Sequence, residues 1–352
     1  MKQKMNKVEK PLLTIAIPTY KRPKYLYQAI KSAVEQSETS IPYDIIVVNN
    51  DPESDMADVK EAFTDVADKV TFYSNEKNIG MIGNVNRCVS LARGEYVAFL
   101  HDDDLLLPNY LSEIRPFLEE QKGSCLIPSR YLLFEGKSPS GKYKIEEKRK
   151  KKALLSSLFL PRYLFRRKFT AITNADNAFA WQNCYCAPTC GVVFKKDVIL
   201  SRGLFFPEGT YSWDFISFFA LNETEKIYLL HEPVSVYRMS TGASLRAEVQ
   251  YDFYVAFEEM MGKYPAGSKP NRFINHYRNE IKYLNYASLN DAGKKFVAER
   301  CSGVVKECPS RFKFFLFMLK RMIHFSFNNL DVEMPLTNHG REVLKQMAVL
   351  SD

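Results

Sequence analysis

Short apolar runs alternate with amphipathic stretches along the first 130 residues of the chain. Runs that are apolar at successive positions are typical of strands buried on both faces of a sheet. Such runs predict strands at residues 12–17, 43–48, 70–73 and 95–100. Apolar residues at helical spacing predict helices over 25–36 and 82–92 and a further helix near 56–67. This alternation predicts an α/β fold with a parallel sheet covered by helices on both faces.

Gly94 lies just beyond the helix predicted over 82–92. A glycine in this position often ends a helix by adopting a left-handed conformation. We therefore expect Gly94 to terminate this helix.

Polar clusters follow several of the predicted strands, at residues 18–22, 49–51 and 102–104. Ligands of parallel α/β sheets bind at the carboxyl ends of the strands. We therefore expect these clusters to lie close together and to form the binding site.

The last of these clusters consists of the successive acids Asp102, Asp103 and Asp104. Like charges so close together repel one another unless a positive charge lies beside them. Mg²⁺ and Mn²⁺ prefer oxygen ligands and often bind phosphate oxygens at the same time. The triplet therefore predicts a metal ion bound to a diphosphate. A solvated acidic turn is the alternative, which the buried strand directly before the triplet disfavours.

The composition is that of an ordinary globular protein. The chain has 352 residues, of which 46% are hydrophobic and 26% charged, and its net charge is +8. These values exclude disordered and collagen-like proteins. The seven cysteines form no CxxC pair, so we expect buried thiols in a reducing compartment rather than a zinc ribbon or a disulfide scaffold.

Neither a signal peptide nor an apolar run long enough to span a bilayer is present in the sequence. We expect a cytoplasmic protein, with peripheral contact to the inner face of the cell membrane as one possibility. Basic and bulky apolar residues interleave at 154–169 and 312–327, a pattern that suits an anionic membrane surface. Helices packed on the catalytic domain, or a homodimer contact made by the second segment, are the alternatives.

Five motifs, in order, resemble those of glycosyltransferase family 2, whose members have a GT-A fold, and in particular its enzymes of the bacterial cell-surface polysaccharide type. They are Ile15–Arg22, Asp44–Asp51, Asn78–Gly80 with Asn84, His101–Pro108 and Thr189–Phe194. The resemblance covers about residues 10–245. It implies a GT-A (Rossmann-like), mostly parallel sheet flanked by helices in a catalytic domain at 10–245, with an insertion at about 136–186. Residues 246–352 then form a helical C-terminal region.

The resemblance also implies an inverting, metal-dependent enzyme. It would move a sugar from a nucleoside-diphosphate sugar, most plausibly a UDP-sugar, to a glycan or lipid-linked saccharide acceptor. The implied nucleotide-sugar ligands are Pro18, Thr19, Tyr20, Arg22, Asn49, Asn50, Asp51, Asn78, Gly80, Asn84, Asp102 and Asp103. Asp104 would hold Mn²⁺ or Mg²⁺, and Asp214 would be the general base, with Glu208 as the reserve candidate.

The sequence departs from the family pattern at several positions. Asn49 and Asn50 replace the usual acid after the second strand, so Asp51 or an asparagine must read the base. A histidine found in some members soon after Tyr-Arg is missing after Tyr237 and Arg238. We therefore expect no further metal ligand from that segment.

Two other classes of protein remain as alternatives. A nucleotidyltransferase also needs acids and Mg²⁺, but it usually has a glycine-rich loop after the first strand, where this chain has residues 18–23 without glycine. A non-catalytic sugar- or nucleotide-binding protein is the other alternative. Binding of nucleic acid is not expected, because the basic excess is modest and the acidic cluster would repel a phosphate backbone.

Overall fold

The computed structural model describes residues 10–38, 40–133, 168–172, 189–201, 213–222, 224–238, 265–266, 333–335 and 337–347. The strands are β1 Leu13–Thr19, β2 Tyr43–Asn49, β3 Val70–Ser74, β4 Tyr96–Phe99, β5 Leu105–Leu106, β6 Cys125–Leu133, β7 Phe169–Ile172, β8 Val193–Lys195, β9 Ile227–Arg238 and β10 Glu333–Pro335. The helices are α1 Pro23–Val34, α2 Ala57–Glu61, α3 Gly80–Leu91, α4 Tyr110–Glu119, α5 Lys196–Ser201, α6 Trp213–Asn222 and α7 Asn338–Gln346, with a 3₁₀ turn at Thr64–Val66.

A single mixed sheet organises the described residues, with its main path in the order β3-β2-β1-β4-β8-β6-β9-β5. The first half is parallel, since β1 pairs with both β2 and β4, and β2 pairs with β3. β8 then lies antiparallel between β4 and β6. The α/β class and the strands predicted near 12–17, 43–48, 70–73 and 95–100 are confirmed, and the sheet is mostly parallel as expected.

The continuous apolar runs explain this sheet. Every residue of β2 and β4 is buried, and β1 is buried except for the half-buried Pro18. Leu26, Ala29, Ile30 and Ala33 form the buried face of α1 and belong to the same core as β1 and β2. A strand covered in this way has no solvent-facing side, so its sequence shows no polar alternation.

Gly94 does not have the role predicted for it. α3 ends at Leu91 with Ala92 as its C-cap, and the described glycines with positive φ are Gly80 and Gly191. A Cβ atom on Gly94 would instead lie 2.5 Å from the backbone nitrogen of Thr14. Gly94 is therefore required because the chain passes very close to the start of β1.

The helix predicted near 56–67 is shorter than expected. α2 ends at Glu61, and the 3₁₀ turn follows it. Val59 and Phe63 are both buried, so the apolar spacing behind the prediction reflects real packing. The spacing does not require one continuous α-helix, because Phe63 reaches the core from the link between α2 and the 3₁₀ turn.

The C-terminal part of the chain returns to the sheet. β10 pairs in parallel with β6, and the side chain of Leu344 on α7 is fully buried among residues that include Leu105 and Val236. From the sequence, these residues are expected to belong to a helical C-terminal region at 246–352. Of that expected helical extension, the described residues contain α7 alone. None of the helices that the structure describes has the length and apolar character needed to cross a membrane.

Candidate active site

The predicted acidic cluster is buried at the carboxyl end of β4. Asp102, Asp103 and Asp104 lie in the turn between β4 and β5, and none is more than 7% exposed. The backbone N–H of Asp104 donates to the carbonyl of His101 at 3.1 Å and closes the turn. Burial excludes the alternative of a solvated acidic loop, and adjacent buried carboxylates need a compensating positive charge.

Asp102 connects this turn to the loop that follows β1. Its Oδ2 accepts hydrogen bonds from Oγ1 of Thr19 at 2.8 Å and from the backbone nitrogen of Tyr20 at 3.3 Å. Burial, together with the negative charge of Asp103, raises the pKa of Asp102 to about 6, although the Thr19 hydrogen bond and Arg22 act in the opposite direction. The two loops meet because β1 and β4 are parallel neighbours that end at the same edge of the sheet.

Arg22 supplies positive charge to the same acids. Its Nη1 donates to Oδ2 of Asp103 and lies 3.5 Å from Oδ1 of Asp102. The side chain is about one third exposed, with a relative accessibility of 35%, whereas those of the acids are almost fully buried. Arg22 therefore lies at the border between the acids and solvent.

Asp104 is held from both sides. Its Oδ1 accepts a hydrogen bond of 2.9 Å from the backbone nitrogen of Arg238, the last residue of β9. Its Oδ2 lies 3.3 Å from Nδ1 of His101, and Nε2 of His101 shares a hydrogen bond of 2.7 Å with Oγ1 of Thr189. Burial acts to lower the pKa of His101, but the hydrogen bond and charge of Asp104 outweigh it and raise that pKa.

The residues present fit a divalent cation. One ligand atom each from His101, Asp103 and Asp104 lie within 4.8 Å of one another. The Oδ2 atom of Asp104 is buried and lies 3.3 Å from Nδ1 of His101, so a carboxylate oxygen and an imidazole nitrogen face each other where a cation could lie between them. Carboxylate oxygens with an imidazole nitrogen suit Mn²⁺. Sequence reasoning missed His101, whose position directly before the acids was the available signal.

Asparagine side chains fix the chain at the ends of β2 and β3. Nδ2 of Asn50 donates to Oδ1 of Asn78 and to the carbonyl of Gly80, while Oδ1 of Asn50 accepts from Asn75 and from the backbone of Ile79. These four contacts use the full hydrogen-bonding capacity of the Asn50 amide. Sequence reasoning missed Asn75, which the structure places at the centre of this network.

Asn49 and Asn84 also make internal hydrogen bonds. Nδ2 of Asn49 donates to the carbonyls of Asp51 and Ser54, and Nδ2 of Asn84 donates to the carbonyl of Val48. Because these amides hold the backbone, Asp51 is the better candidate to read a base. Lys21, in a left-handed conformation, lies 3.9 Å from the Asp51 carboxylate and over the ring of the exposed Tyr20.

Asp214 lies in the first turn of α6 and is half-buried. Phe218, one turn later on the same helix face, stacks on Phe194 of β8 with ring centroids 5.6 Å apart. Phe194 in turn contacts Phe99, the last residue of β4, at 5.9 Å. This aromatic row anchors α6 to the strand that precedes the acids. Glu208, the reserve candidate, lies outside the described residues.

Arg238, the last residue of β9, is buried. Its Nη2 donates to Oε1 of Gln28 at 2.6 Å, and its guanidinium lies 4.9 Å from the centroid of the Tyr25 ring. Both contacts are with α1, so Arg238 ties β9 to the helix that follows the first loop.

The structure thus brings together the predicted residues that follow β1, β2 and β4. Thr19, Arg22, Asp102, Asp103 and Asp104 form one connected cluster. Asn50, Asn78, Gly80 and Asn84 form a second one, joined to the first through the Asn50 backbone nitrogen, which donates to the carbonyl of Thr19.

Comparison with known proteins identifies the family. The model of "Glycosyl transferase family 2" matches residues 14–196, which is more than half of the chain. The chain belongs to this family. The predicted family is therefore confirmed, and with it, at family level, the class of transferase.

Individual relatives match part of the chain. A "GalNAc(5)-diNAcBac-PP-undecaprenol beta-1,3-glucosyltransferase" of Campylobacter jejuni is 30% identical over 187 residues, covering 50% of this chain and 60% of that one. The "putative colanic acid biosynthesis glycosyl transferase WcaA" of Escherichia coli is 32% identical over 103 residues, covering 29% and 36%. The chain therefore spans less than two thirds of the length of these relatives.

Solved structures confirm the GT-A fold. TarS 1-349 of S. aureus, in complex with UDP-GlcNAc, superimposes with a TM-score of 0.57 at 14% identity, covering 96% of this chain and 91% of that one. The mannosyltransferase PcManGT of Pyrobaculum calidifontis, in complex with GDP-Man and Mn²⁺, gives 0.53 at 14% identity, covering 91% and 87%. At this identity the likeness shows the fold alone.

Proposed function

We propose that this protein is an inverting, divalent metal-dependent glycosyltransferase of cell-surface polysaccharide synthesis. It moves a sugar from a nucleoside-diphosphate sugar, with UDP as the first candidate, to a glycan acceptor on a lipid carrier. The observation that carries the proposal is the buried cluster of Asp102, Asp103 and Asp104 at the end of β4, with Arg22 at its open side. A bound metal and a diphosphate would satisfy this concentration of negative charge.

The donor half of the site is built from the loops that follow β1, β2 and β4. Pro18, Thr19 and Tyr20 border the base and ribose, and Asp51 accepts a hydrogen bond from the base. Arg22 turns toward the phosphates, and Asp103 faces the ribose or sugar. Asp104, with Asp103 and His101 beside it, would hold Mn²⁺ or Mg²⁺, and the positive charge of that ion would offset the negative charge of the departing diphosphate.

Transfer requires a base on the acceptor side. Asp214 takes the proton of the acceptor hydroxyl, and the hydroxyl oxygen forms a bond to the anomeric carbon. The bond between that carbon and the diphosphate oxygen breaks, and its electron pair leaves with the nucleoside diphosphate. Because attack comes from the face opposite the leaving group, the configuration of the sugar is inverted. The aromatic row from Phe99 to Phe218 supports this role by fixing α6 against β8.

The acceptor class is supported by the Campylobacter relative, whose name includes an undecaprenol-linked saccharide. A peripheral position at the inner face of the membrane follows from such an acceptor. It also agrees with the basic and apolar residues at 154–169 and 312–327. A homodimer through the second of these segments remains a proposal of the same kind.

Calorimetric titration with UDP, GDP, CDP and ADP, with and without Mn²⁺, tests the donor site. We expect Mn²⁺-dependent binding of one of them. Asp104→Asn should abolish that binding, because the variant loses a charged ligand next to the diphosphate. Asp214→Asn should retain it but lose sugar transfer from the matching nucleotide-sugar, because the base is absent and the donor site is intact.

The pair of variants serves as its own control, since each removes one negative charge from a different half of the site. Nucleotide binding without Mn²⁺ would contradict the metal role. Equal binding and turnover in both variants and in the wild type would contradict the whole site assignment. If the wild type binds a nucleotide but transfers no sugar, a non-catalytic binding protein would be the better description.

A further inference from the structure

Buried asparagine side chains connect two strand ends and a helix beside the proposed base pocket. Asn50 follows β2, Asn75 follows β3 and Asn84 lies on α3, and each is at most 4% exposed. Nδ2 of Asn75 donates to Oδ1 of Asn50 and to Oδ1 of Asn84, both at 2.9 Å. Asn75 is therefore the donor that holds the other two side chains together.

Backbone groups fix the direction of these amides. Nδ2 of Asn84 donates to the carbonyl of Val48, and Nδ2 of Asn50 donates to the carbonyl of Gly80. Because a carbonyl only accepts, both side chains must turn Oδ1 toward Asn75. Position 75 must then supply two N–H groups from one atom. An aspartate of the same shape would face two carbonyl oxygens with acceptors alone.

Asn50 transmits this order to the ligand-binding loops. Its backbone nitrogen donates to the carbonyl of Thr19 at 2.9 Å, and its Oδ1 also accepts from the backbone nitrogen of Ile79 at 3.0 Å. The next residue is Asp51, the candidate for reading the base. A displacement of Asn50 would therefore move Asp51, its neighbour in the chain, most directly.

The side-chain oxygen of Asn75 shows that this network does not satisfy every hydrogen-bonding atom of its members. Oδ1 of Asn75 is buried and has no hydrogen-bond partner among the described residues. A buried unpaired acceptor is unfavourable, and its presence in a native fold calls for an explanation. The explanation we offer is that asparagine is needed at position 75 for its two N–H groups, which hold Asn50 and Asn84 in place beside the pocket.

We propose that Asn75 is a positioning residue for the nucleoside half of the donor, acting through Asn50 on Asp51. The proposal rests on the nucleotide-sugar function proposed above. It separates the two halves of the site, because the network contacts the base side, whereas the diphosphate side consists of the acids and Arg22.

Calorimetric titration of Asn75→Asp and Asn75→Ala tests this division, with two probes in the presence of Mn²⁺. The first is the nucleoside diphosphate that the wild type binds best among UDP, GDP, CDP and ADP, and the second is inorganic pyrophosphate. We expect the affinity for the nucleotide to fall by about tenfold or more, as for loss of a supporting hydrogen-bond partner. The affinity for pyrophosphate should stay within about twofold of the wild type, since no supporting contact of that half is removed.

Thr14→Val is the matched control for a simple loss of stability. Thr14 is also buried and is a hydrogen-bond centre, donating to Asp44 at 2.6 Å and accepting from the nitrogen of Gly94 at 2.8 Å. It lies at the opposite end of β1 from the site. Its variant should lower the thermal midpoint and leave nucleotide affinity unchanged. If the Asn75 variants do not fold, Asn84→Ala, which removes one of the two acceptors, gives the milder form of the same test.

The outcomes distinguish the possible failures. A wild type that binds none of the nucleotides would overturn the proposed function itself. Wild-type nucleotide affinity in Asn75→Asp would overturn the positioning role, and so would equal losses for nucleotide and pyrophosphate. The proposal is supported if the Asn75 variants bind the nucleotide more weakly and pyrophosphate as the wild type does, while Thr14→Val keeps its nucleotide affinity. In steady-state assays the same change should raise the donor KM with little effect on kcat.

Discussion

At the scale of single residues, the pair formed by His101 and Thr189 determines how an imidazole faces the acids. Thr189 is fully buried, and its Oγ1 lies 2.7 Å from Nε2 of His101, whose Nδ1 faces Asp104. A hydrogen bond to the far nitrogen of a histidine fixes its ring orientation and tautomer. The hydroxyl of Thr189 therefore contributes to the candidate metal site without facing it.

Replacement of Thr189 by valine tests this contribution, since valine keeps the shape of the side chain and removes its hydroxyl. We expect the affinity for Mn²⁺, measured by calorimetry in the presence of the nucleotide, to fall by about tenfold. Without this hydroxyl the ring of His101 loses the hydrogen bond that fixes its orientation, so Asp103 and Asp104 remain as the fixed ligands of the metal.

The chain offers a matched control in Thr170, whose Oγ1 lies 2.8 Å from Nε2 of the buried His231. This second threonine–histidine pair joins β7 to β9, away from the acids. Thr170→Val should leave Mn²⁺ affinity unchanged. Equal effects of the two substitutions, or none in Thr189→Val, would show that His101 has no part in metal binding.

At the scale of secondary-structure elements, Gly94 determines how closely the chain after α3 approaches β1. A Cβ atom at this position would lie 2.5 Å from the nitrogen of Thr14 and 2.6 Å from the carbonyl oxygen of Tyr96, both backbone atoms. Backbone atoms in the middle of a sheet cannot move aside as a flexible side chain does.

Gly94→Ala should therefore lower the free energy of unfolding by about 3 kcal/mol, the upper part of the range for overpacking. Urea-induced unfolding measures this value. Gly83→Ala is the control, because the Cβ atom would meet the side chain of Ile79 alone, at 3.3 Å, and alanine favours a helix. A change of less than about 1 kcal/mol in Gly94→Ala would contradict the close approach.

The same elements explain how far the sequence predicts this fold. β1, β2 and β4 each contain an apolar run, and β3 is short and rich in β-branched and aromatic residues, so they were predictable from local pattern alone. β6 was not predicted, because its residues Ser129 and Arg130 interrupt the pattern although both are fully buried. A buried arginine is tolerated through contacts made in the folded protein, which local sequence does not contain.

The candidate site divides in the same way. The acids after β4 were predictable, since strand ends of a parallel sheet converge. Asn75 was not, and for His101 the sequence shows only its position next to the acids, because the roles of both residues depend on which amide or imidazole atom meets which partner across the sheet. That information arises from the register between strands, such as the pairing of Asn49 with Ser74, and from the approach of Thr189 to the end of β4.

At the scale of the whole molecule, residues 333–335 form a strand of the same sheet that carries the candidate site. β10 extends the sheet beside β6, and Oγ1 of Thr337, the N-cap of α7, donates to the hydroxyl of Tyr131 on β6 at 3.1 Å. Leu344 packs in a small core with Leu105, the residue that directly follows Asp104. Burial of α7 therefore supports the strand that begins at the candidate metal site.

We expect this segment and the catalytic sheet to unfold as one cooperative unit. Leu344→Ala should lower the free energy of unfolding by about 2–5 kcal/mol, as for other large-to-small changes at fully buried leucines. In native-state hydrogen exchange, the amides of β5 and α7 should lose protection together, because a shared core links their opening. Leu200→Ala, at a leucine that is 39% exposed on α5, should change stability by about 0.5 kcal/mol or less.

If α7 exchanges in Leu344→Ala while β5 keeps its wild-type protection, the C-terminal segment opens independently. Its packing would then contribute nothing to the position of Asp104. Joint loss of protection, with weaker Mn²⁺ binding in the same variant, would show that the far end of the chain holds one wall of the candidate site.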